Sequence, residues 1–217
     1  MKLTFAIVFF VISMVIISPS NSNAQTSDTL LVSATPPGNL NNVIETDVNA
    51  NGDRNPNRVY LLQQTGSVDT SYLITSSILS NGDLTIIGKP NPQTGHLPVI
   101  EPGILPDGSS PNIIVEPNRS TSKITLKNIY FLGWRTDGVT TALQVANIQA
   151  DSVTLNVSNC VADGFNGATI AVNSSYDNLF VYNTEFRDAA NPGGGPSWVN
   201  GAVPIDTIDF ENDTFFA

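Results

Sequence analysis

The sequence has little of the chemistry on which many catalytic and metal sites depend, because its 217 residues include one cysteine and one histidine. One cysteine excludes an internal disulfide framework and a cysteine-based zinc cluster, so Cys160 is predicted to be a buried small hydrophobe. One histidine removes most histidine-centred schemes. Charge is scarce as well: charged residues make up 13% of the chain, against about 25% in an ordinary soluble domain.

The charge that is present is mostly negative. Asp and Glu number 19 and Lys and Arg number 9, which gives a net charge of -10 at pH 7. Nucleic-acid binding is driven by clustered Lys and Arg, so this balance argues against nucleic acid as a partner. Polarity is supplied instead by neutral amides, since the chain contains 24 asparagines.

The N-terminal segment has the pattern of a secretory signal peptide. Lys2 supplies a positive charge, residues 3–17 are almost continuously apolar, and Ser-Asn-Ala at residues 22–24 forms a small-residue cleavage site. The apolar run is shorter than the roughly 20 residues that span a bilayer. We therefore predict that residues 1–24 are removed on export. The mature chain is then secreted or on the cell surface, without membrane insertion.

Short strand-like runs dominate the chain from residue 59 onward. They are rich in Val, Ile, Leu, Thr and Phe and are separated by Gly, Pro, Asn and Asp, as at residues 59–62, 72–74, 84–87 and 113–115. No amphipathic helix pattern follows the signal segment, and prolines predict a long irregular excursion over residues 88–112. We expect an all-β fold, with residues 25–58 as a lead-in or cap and residues 59–217 as the β domain.

One pattern recurs four times: apolar-x-apolar-x-Asn, with Phe or Ala three residues later. Its asparagines lie 24 to 31 residues apart, at Asn128, Asn159, Asn183 and Asn212. Residues two apart on a strand point to one face, so each copy predicts two buried residues before an asparagine that ends the strand. Stacked copies would let the asparagine amides form a ladder. Such a period without helices indicates a solenoid.

These asparagines, strands and coil lengths resemble a right-handed parallel β-helix of the pectin-lyase-like superfamily. Residues 40–62, with Asp-Arg-Asn-Pro-Asn-Arg-Val-Tyr at 53–60, also resemble the start of large exported surface proteins of Bacteroidetes-type bacteria. Those proteins usually carry a C-terminal sorting domain for type IX secretion after the β-helix. This chain ends two residues after its last repeat, at Ala217, so the resemblance predicts a partial form that lacks the sorting domain.

Residues between and beside the inward positions are predicted to share one outward sheet face: Thr125, Lys127, Thr154, Asn156, Phe180, Tyr182, Asp209 and Glu211. Aromatic rings with a polar rim suit sugar rings. The resemblance implies that catalytic groups, where present, lie on such a face. We expect carbohydrate contacts from Lys127, Asn156, Phe180 and Tyr182. The alternative is a set of ordinary solvated strand positions.

Catalysis is the weaker reading of this face. Asp209 and Glu211 are alternate strand residues, so their Cα atoms should lie about 7 Å apart, near the carboxyl separation of inverting glycosidases. With Lys127 they are the catalytic candidates for a polysaccharide lyase or hydrolase. No Arg-rich lyase motif or Gly-His-Gly element is present, and His96 lies in the proline-rich segment. The favoured function is a non-catalytic module that binds polysaccharide; a further alternative is an adhesin stalk without a ligand.

Residues 47–53 resemble the first half of a calcium-binding loop, with oxygen ligands at alternate positions and a turn glycine. The candidate ligands are Asp47, Asn49, Asn51 and Asp53. Arg58 occupies the place of the bidentate Glu, and no flanking helices are predicted. An ordinary Asn/Asp/Gly turn is therefore favoured, with calcium as the alternative and no other cofactor expected.

Overall fold

The protein was analysed as a computed structural model that describes residues 28–64, 70–135, 137–139, 144–187, 198–201 and 203–216. The predicted signal peptide, residues 1–24, lies outside the described residues. The elements in chain order are β1 (Asp28–Val32), α1 (Asn39–Thr46), β2 (Arg58–Gln63), β3 (Ser71–Ile74), β4 (Ile78–Leu79), β5 (Leu84–Lys89), β6 (Val99–Pro102), β7 (Ile113–Glu116), β8 (Lys123–Lys127), β9 (Tyr130–Leu132), β10 (Gln144–Ile148), β11 (Thr154–Ser158), β12 (Val161–Asp163), β13 (Ile170–Val172), β14 (Asp177–Tyr182), β15 (Glu185–Arg187), β16 (Val199–Gly201), β17 (Ile205–Glu211) and β18 (Thr214–Phe215).

The strands form three sheets in which all neighbouring strands are parallel. The first sheet has the order β1-β2-β5-β8-β11-β14-β17, the second β3-β6-β9-β12-β15-β18, and the third β4-β7-β10-β13-β16. From β2 onward the chain visits the first, second and third sheets in turn, so each strand pairs with its equivalents one coil before and one coil after. This arrangement is a parallel β-helix, and the fold predicted from the sequence is confirmed.

The repeated sequence pattern sets the register of the first sheet. Leu155 pairs with Ile124 on one side and Leu179 on the other, and Val157 stands between Leu126 and Val181 in the same way. These six side chains are at most 3% exposed. Burial of a residue of this size contributes about 1.5–3 kcal/mol, so the stacked pairs form a continuous core along the solenoid axis.

A second inward column runs through the middle residues of the second sheet. Phe131 and Phe186 are buried, and the Phe186 and Phe215 rings stack with centroids 5.1 Å apart and an interplanar angle of 6°. Cys160 lies beside this column at 2% exposure. This burial confirms the prediction that Cys160 is a buried small hydrophobe, and it raises the pKa of the Cys160 thiol to about 12.

The four repeat asparagines share a left-handed backbone at the corner between the first and second sheets. Their φ angles are 56°, 52°, 50° and 56° for Asn128, Asn159, Asn183 and Asn212. Asparagine adopts this conformation more readily than other residues with a Cβ. The N–H of Asn128 donates to the carbonyl of Ser158 (3.0 Å), one coil further along, and the N–H groups of Asn159 and Asn183 make the equivalent bonds at 2.9 Å.

The side chains of these asparagines do not form the predicted amide ladder. The side chains of Asn159, Asn183 and Asn212 are exposed, and within the described residues no hydrogen bond joins the side chains of the four asparagines. The positive φ turns each side chain away from the axis and leaves the backbone N–H to bind the next coil. Asparagine therefore serves the repeat through its backbone conformation.

A pair of substitutions at Asn159 separates these two roles. Asn159→Gly removes the amide and keeps the left-handed backbone, so we expect its free energy of unfolding to stay close to that of the original protein. Asn159→Leu forces a branched side chain into positive φ, and we expect a loss of about 1 kcal/mol. Urea unfolding would measure both. Equal losses in the two variants would instead support a side-chain ladder.

A second left-handed corner precedes the strands of the first sheet. Asn81, Thr121, Ser152 and Tyr176 have φ between 48° and 64°, and each lies three residues before the first inward apolar residue of β5, β8, β11 or β14. Their N–H groups also bind the next coil, as Thr121 does to the carbonyl of Asp151 (3.1 Å) and Ser152 to that of Ser175 (2.9 Å). The two corners together bring successive strands of the first sheet into alignment.

Two sequence expectations are wrong. The chain after the signal segment does contain a helix, α1, whose Leu40 and Ile44 are 1% and 0% exposed and which packs against β1, β3 and β4 at the N-terminal end of the solenoid. Eight residues are too few for a clear helical period. Residues 88–112 are not wholly irregular, because β6 lies within them and pairs with β3 and β9.

The lead-in contributes to the solenoid as well as covering it. β1 pairs with β2 over its whole length, from Asp28 beside Arg58 to Val32 beside Leu62. Residues 28–32 therefore already belong to the first sheet. In the described part of the chain α1 is the single helix, and its eight residues are too few to cross a bilayer.

Candidate functional site

The outward side chains of the first sheet form two parallel rows, which we call the outer face. The strand register defines one row as Val59, Thr85, Thr125, Asn156, Phe180 and Asp209. The second row is Leu61, Ile87, Lys127, Ser158, Tyr182 and Glu211. Neighbours within a row belong to adjacent strands and lie about 4.8 Å apart at the backbone. Each row thus changes along the solenoid from apolar to polar, then aromatic, then acidic.

The four predicted contact residues lie on the outer face. Of the other residues predicted to share it, Thr154 lies outside the two rows and Ser158 takes its place. Asn156 and Phe180 are neighbours in the first row, whereas Lys127 and Tyr182 belong to the second row and are separated by Ser158. Thr154 lies one step outside both rows. Ser158 was missed because the second repeat was read one alternate position too early; its place after the inward Val157 matches that of Lys127 after Leu126.

Phe180 and Tyr182 form the aromatic part of the outer face. They are alternate residues of β14, their ring centroids are 6.4 Å apart and the ring planes differ by 13°. Both side chains are half-buried, so each ring keeps part of its surface open to solvent. We call these two rings the aromatic pair. It offers apolar contact area with hydrogen-bonding groups on both sides, which is the arrangement that a sugar ring needs.

The acidic end of the face adjoins the aromatic pair directly. Asp209 pairs in register with Phe180, and Glu211 with Tyr182. The Tyr182 hydroxyl donates to Oδ2 of Asp209 at 3.3 Å. Desolvation, the charge of Asp209 and this hydrogen bond, together with the charge of Glu211, raise the pKa of Tyr182. The phenol therefore remains a neutral O–H donor at neutral pH.

The three catalytic candidates are not brought together. Asp209 and Glu211 lie on β17, whereas Lys127 lies on β8, three strands away in the sheet. At about 4.8 Å per strand the backbones are separated by about 14 Å. Lys127 therefore cannot share a reacting atom with either carboxylate. Asp209 and Glu211 stay together as alternate residues of β17, so only Lys127 is separated from the other candidates.

The first candidate calcium ligand already has protein partners. Asp47 forms an ion pair with Arg58, with 2.7 Å between Oδ2 and Nε, and its Oδ2 also accepts a hydrogen bond from the Tyr60 hydroxyl at 2.9 Å. The hydrogen bond from Arg58 to Asp47 is the largest cause of the raised pKa of Arg58. Asp47 thus ties the end of α1 to β2.

Asn49 and Asp53, two of the other candidate ligands, also have protein partners. Oδ1 of Asn49 accepts from the N–H groups of Asn51 (2.8 Å) and Asp53 (3.0 Å), and Asp53 pairs with Arg119. Among the described residues no group of three or more His, Cys, Asp or Glu side chains is arranged to hold a metal ion. The loop has the hydrogen bonds of an ordinary Asx turn.

A polar cluster on the outward side of the second sheet was not predicted from the sequence. The Tyr130 hydroxyl donates to Asp163, and Arg187 makes a two-pronged contact with Glu185 through Nε (2.8 Å) and Nη2 (2.7 Å). Burial and the bond to Asp163 raise the pKa of Tyr130 to about 12. Each of these residues lies next to the last apolar residue of its repeat, at Phe131, Ala162 or Phe186. This alternation in the sequence would have predicted that they share one outward face. Their polar groups are paired with one another, so the cluster offers few groups to a ligand.

Stacked coils and three parallel sheets define the class of this protein as a parallel β-helix. No family model, no curated protein and no solved structure matches the chain. The class therefore rests on the strand topology and register alone, and the function must be argued from the outer face.

Proposed function

We propose that this protein is an exported, non-catalytic β-helix module of the pectin-lyase-like type that binds polysaccharide along the outer face. It acts outside the cell or on its surface after removal of residues 1–24. The observation that carries the proposal is the aromatic pair, Phe180 and Tyr182, which lies between neutral polar residues and carboxylates on one face of the first sheet.

The dimensions of the face suit an extended chain of sugars. Strands follow one another every 4.8 Å or so, so each row presents a new side chain at roughly the spacing of successive groups along a polymer. Asn156, beside Phe180, donates to the carbonyl of Ile124 through a long bond of 3.4 Å. This leaves its amide oxygen available to a sugar hydroxyl.

The separation of the catalytic candidates favours binding over cleavage. A mechanism that combines Lys127 with a carboxylate needs both groups at one bond, whereas Lys127 and the carboxylates of β17 lie three strands apart. Asp209 and Glu211 share β17, and they are the pair on which the hydrolase alternative depends. The described residues of the outer face include no histidine. A binding module needs only contact area and hydrogen bonds, both of which the face supplies.

The test is binding of the exported chain to a panel of soluble polysaccharides, measured by affinity electrophoresis. We expect at least one polysaccharide to retard the protein, and Phe180→Ala and Tyr182→Ala each to weaken that binding about tenfold, which corresponds to about 1.4 kcal/mol. The matched control is Tyr176→Asn, which removes an aromatic that is 60% exposed at a corner, where asparagine tolerates the φ of 64°. It should leave binding unchanged.

Two results would overturn the proposal in different directions. New reducing or unsaturated chain ends, lost in Asp209→Ala or Glu211→Ala, would make the protein a hydrolase or lyase. A folded protein that binds none of the panel would be a structural stalk. Equal losses in Tyr182→Ala and Tyr176→Asn would move the site away from the outer face.

A further inference from the structure

The charges on the outer face are segregated along the solenoid. The lysine of the two rows is Lys127 on β8, and Lys89 and Lys123 lie just outside the rows on β5 and β8. The aromatic pair lies on β14 and the carboxylates of Asp209 and Glu211 lie on β17. β8 and β14 are separated by β11. The aromatic pair therefore has an acidic flank on one side and the uncharged Asn156 and Ser158 on the other.

The two carboxylates of the acidic flank are exposed, and neither forms a salt bridge with any residue in the described ranges. Asp209 accepts the Tyr182 hydroxyl at 3.3 Å, which occupies one of its four lone-pair positions. The negative charges are thus uncompensated at the edge of two aromatic rings, in a chain whose net charge is -10.

Aromatic faces and carboxylates attract the same kind of group. The ring quadrupole attracts a cation placed over its face, with about 0.5–1 kcal/mol at exposed sites. A carboxylate accepts short, charge-assisted hydrogen bonds from an ammonium group. An acidic sugar would instead meet the uncompensated charges of Asp209 and Glu211 and would be repelled.

We infer that the ligand is a glycan that carries protonated amino groups, such as a polymer of unacetylated amino sugars, with one ammonium group bound between the aromatic pair and the acidic flank. This inference rests on the proposed function. Uncharged hydroxyls of the neighbouring sugar then face Asn156 and Ser158, and the lysines of β5 and β8 lie beyond the contact.

The experiment compares three oligosaccharides of equal length: fully deacetylated glucosamine oligomer, its N-acetylated form and oligogalacturonate. Binding is measured by calorimetry under conditions in which amines are protonated and carboxyls ionised. We expect the deacetylated oligomer to bind about tenfold more tightly than the acetylated one. Added salt should weaken binding of the deacetylated oligomer more than binding of the acetylated one, because salt screens exposed charges.

Three variants test which residues cause the preference for the deacetylated oligomer. Asp209→Asn combined with Glu211→Gln should remove the preference for the deacetylated oligomer and leave the acetylated one bound as before. Phe180→Ala should weaken both. Glu45→Gln, which removes an exposed carboxylate of α1 at the far end of the solenoid, is the matched control and should change neither.

The outcomes separate this inference from the proposed function. Equal or tighter binding of the acetylated oligomer, or preferred binding of oligogalacturonate, would overturn the inference and leave polysaccharide binding in place. An equal effect of Glu45→Gln and of the combined Asp209→Asn and Glu211→Gln variant would show unspecific attraction to an acidic protein and would also overturn it. Absence of binding to all three oligomers and to the polysaccharide panel would overturn both.

Discussion

Replacing Arg54 with methionine is expected to lower the free energy of unfolding by about 3 kcal/mol, because it removes a donor from three main-chain carbonyls in buried or half-buried positions. The Arg54 side chain is 4% exposed. Its Nε donates to the carbonyl of Ser80 at 2.6 Å, its Nη2 to that of Leu79 at 3.1 Å and its Nη1 to that of Ile44. One guanidinium thus joins the last turn of α1 to the end of β4.

The location of these carbonyls explains why a cation is needed there. Ile44 lies in the last turn of α1, where carbonyls lack partners inside the helix and carry a partial negative charge. Nη1 of Arg54 also donates to the Tyr60 hydroxyl at 3.1 Å, so β2 joins the same network. Removal of the side chain therefore breaks the hydrogen bonds that connect α1 with β2 and β4.

Urea unfolding of three variants tests this account. Arg54→Lys keeps the charge, but a single ammonium group cannot reach carbonyls that a planar fork reaches in three directions, so we expect a loss close to that of Arg54→Met. Arg119→Met is the control: its side chain is 53% exposed, and a surface ion pair of this kind contributes about 0–1 kcal/mol. Equal destabilisation by the Arg54 and Arg119 variants would contradict the network.

The interior of the solenoid could be predicted from the sequence because it depends on residue type. Leu155 and Val157 recur as equivalent apolar residues at equivalent positions, and a strand has only two faces on which to place them. The outer face followed from the same alternation. It was misplaced only in the second repeat, where Thr154 was taken in place of Ser158.

The parts that could not be predicted depend on backbone geometry. Thr121, Ser152 and Tyr176 share a left-handed conformation but are not residue types that favour positive φ. Hydrogen bonds from their N–H groups to the next coil hold each of them there. Arg54 was missed for a related reason: its partners are main-chain carbonyls 10 to 26 residues away. Main-chain partners of this kind cannot be predicted from the pattern of side chains in the sequence.

Gly88→Ala is expected to cost about 3 kcal/mol, the upper part of the usual range for overpacking. Gly88 lies in β5, and a Cβ built there would be 1.9 Å from the carbonyl oxygen of Asn128 and 2.7 Å from Cγ of Pro98. The first neighbour is backbone, and it is fixed, because Asn128 holds positive φ and its N–H binds the next coil. Close contact with this carbonyl is therefore the reason for glycine at position 88.

Gly108→Ala is the matched control, because that glycine has φ of +82° and no atom within 4 Å of the added Cβ. It should show only the backbone strain of about 1–2 kcal/mol, less than Gly88→Ala, in the same urea titration. Equal losses would mean that the contact with Asn128 relaxes freely. Gly88 faces β8, which is two strands from the aromatic pair on β14, so the folded fraction of Gly88→Ala should still bind glycan. Loss of binding without loss of stability would contradict the placement of the contact around the aromatic pair.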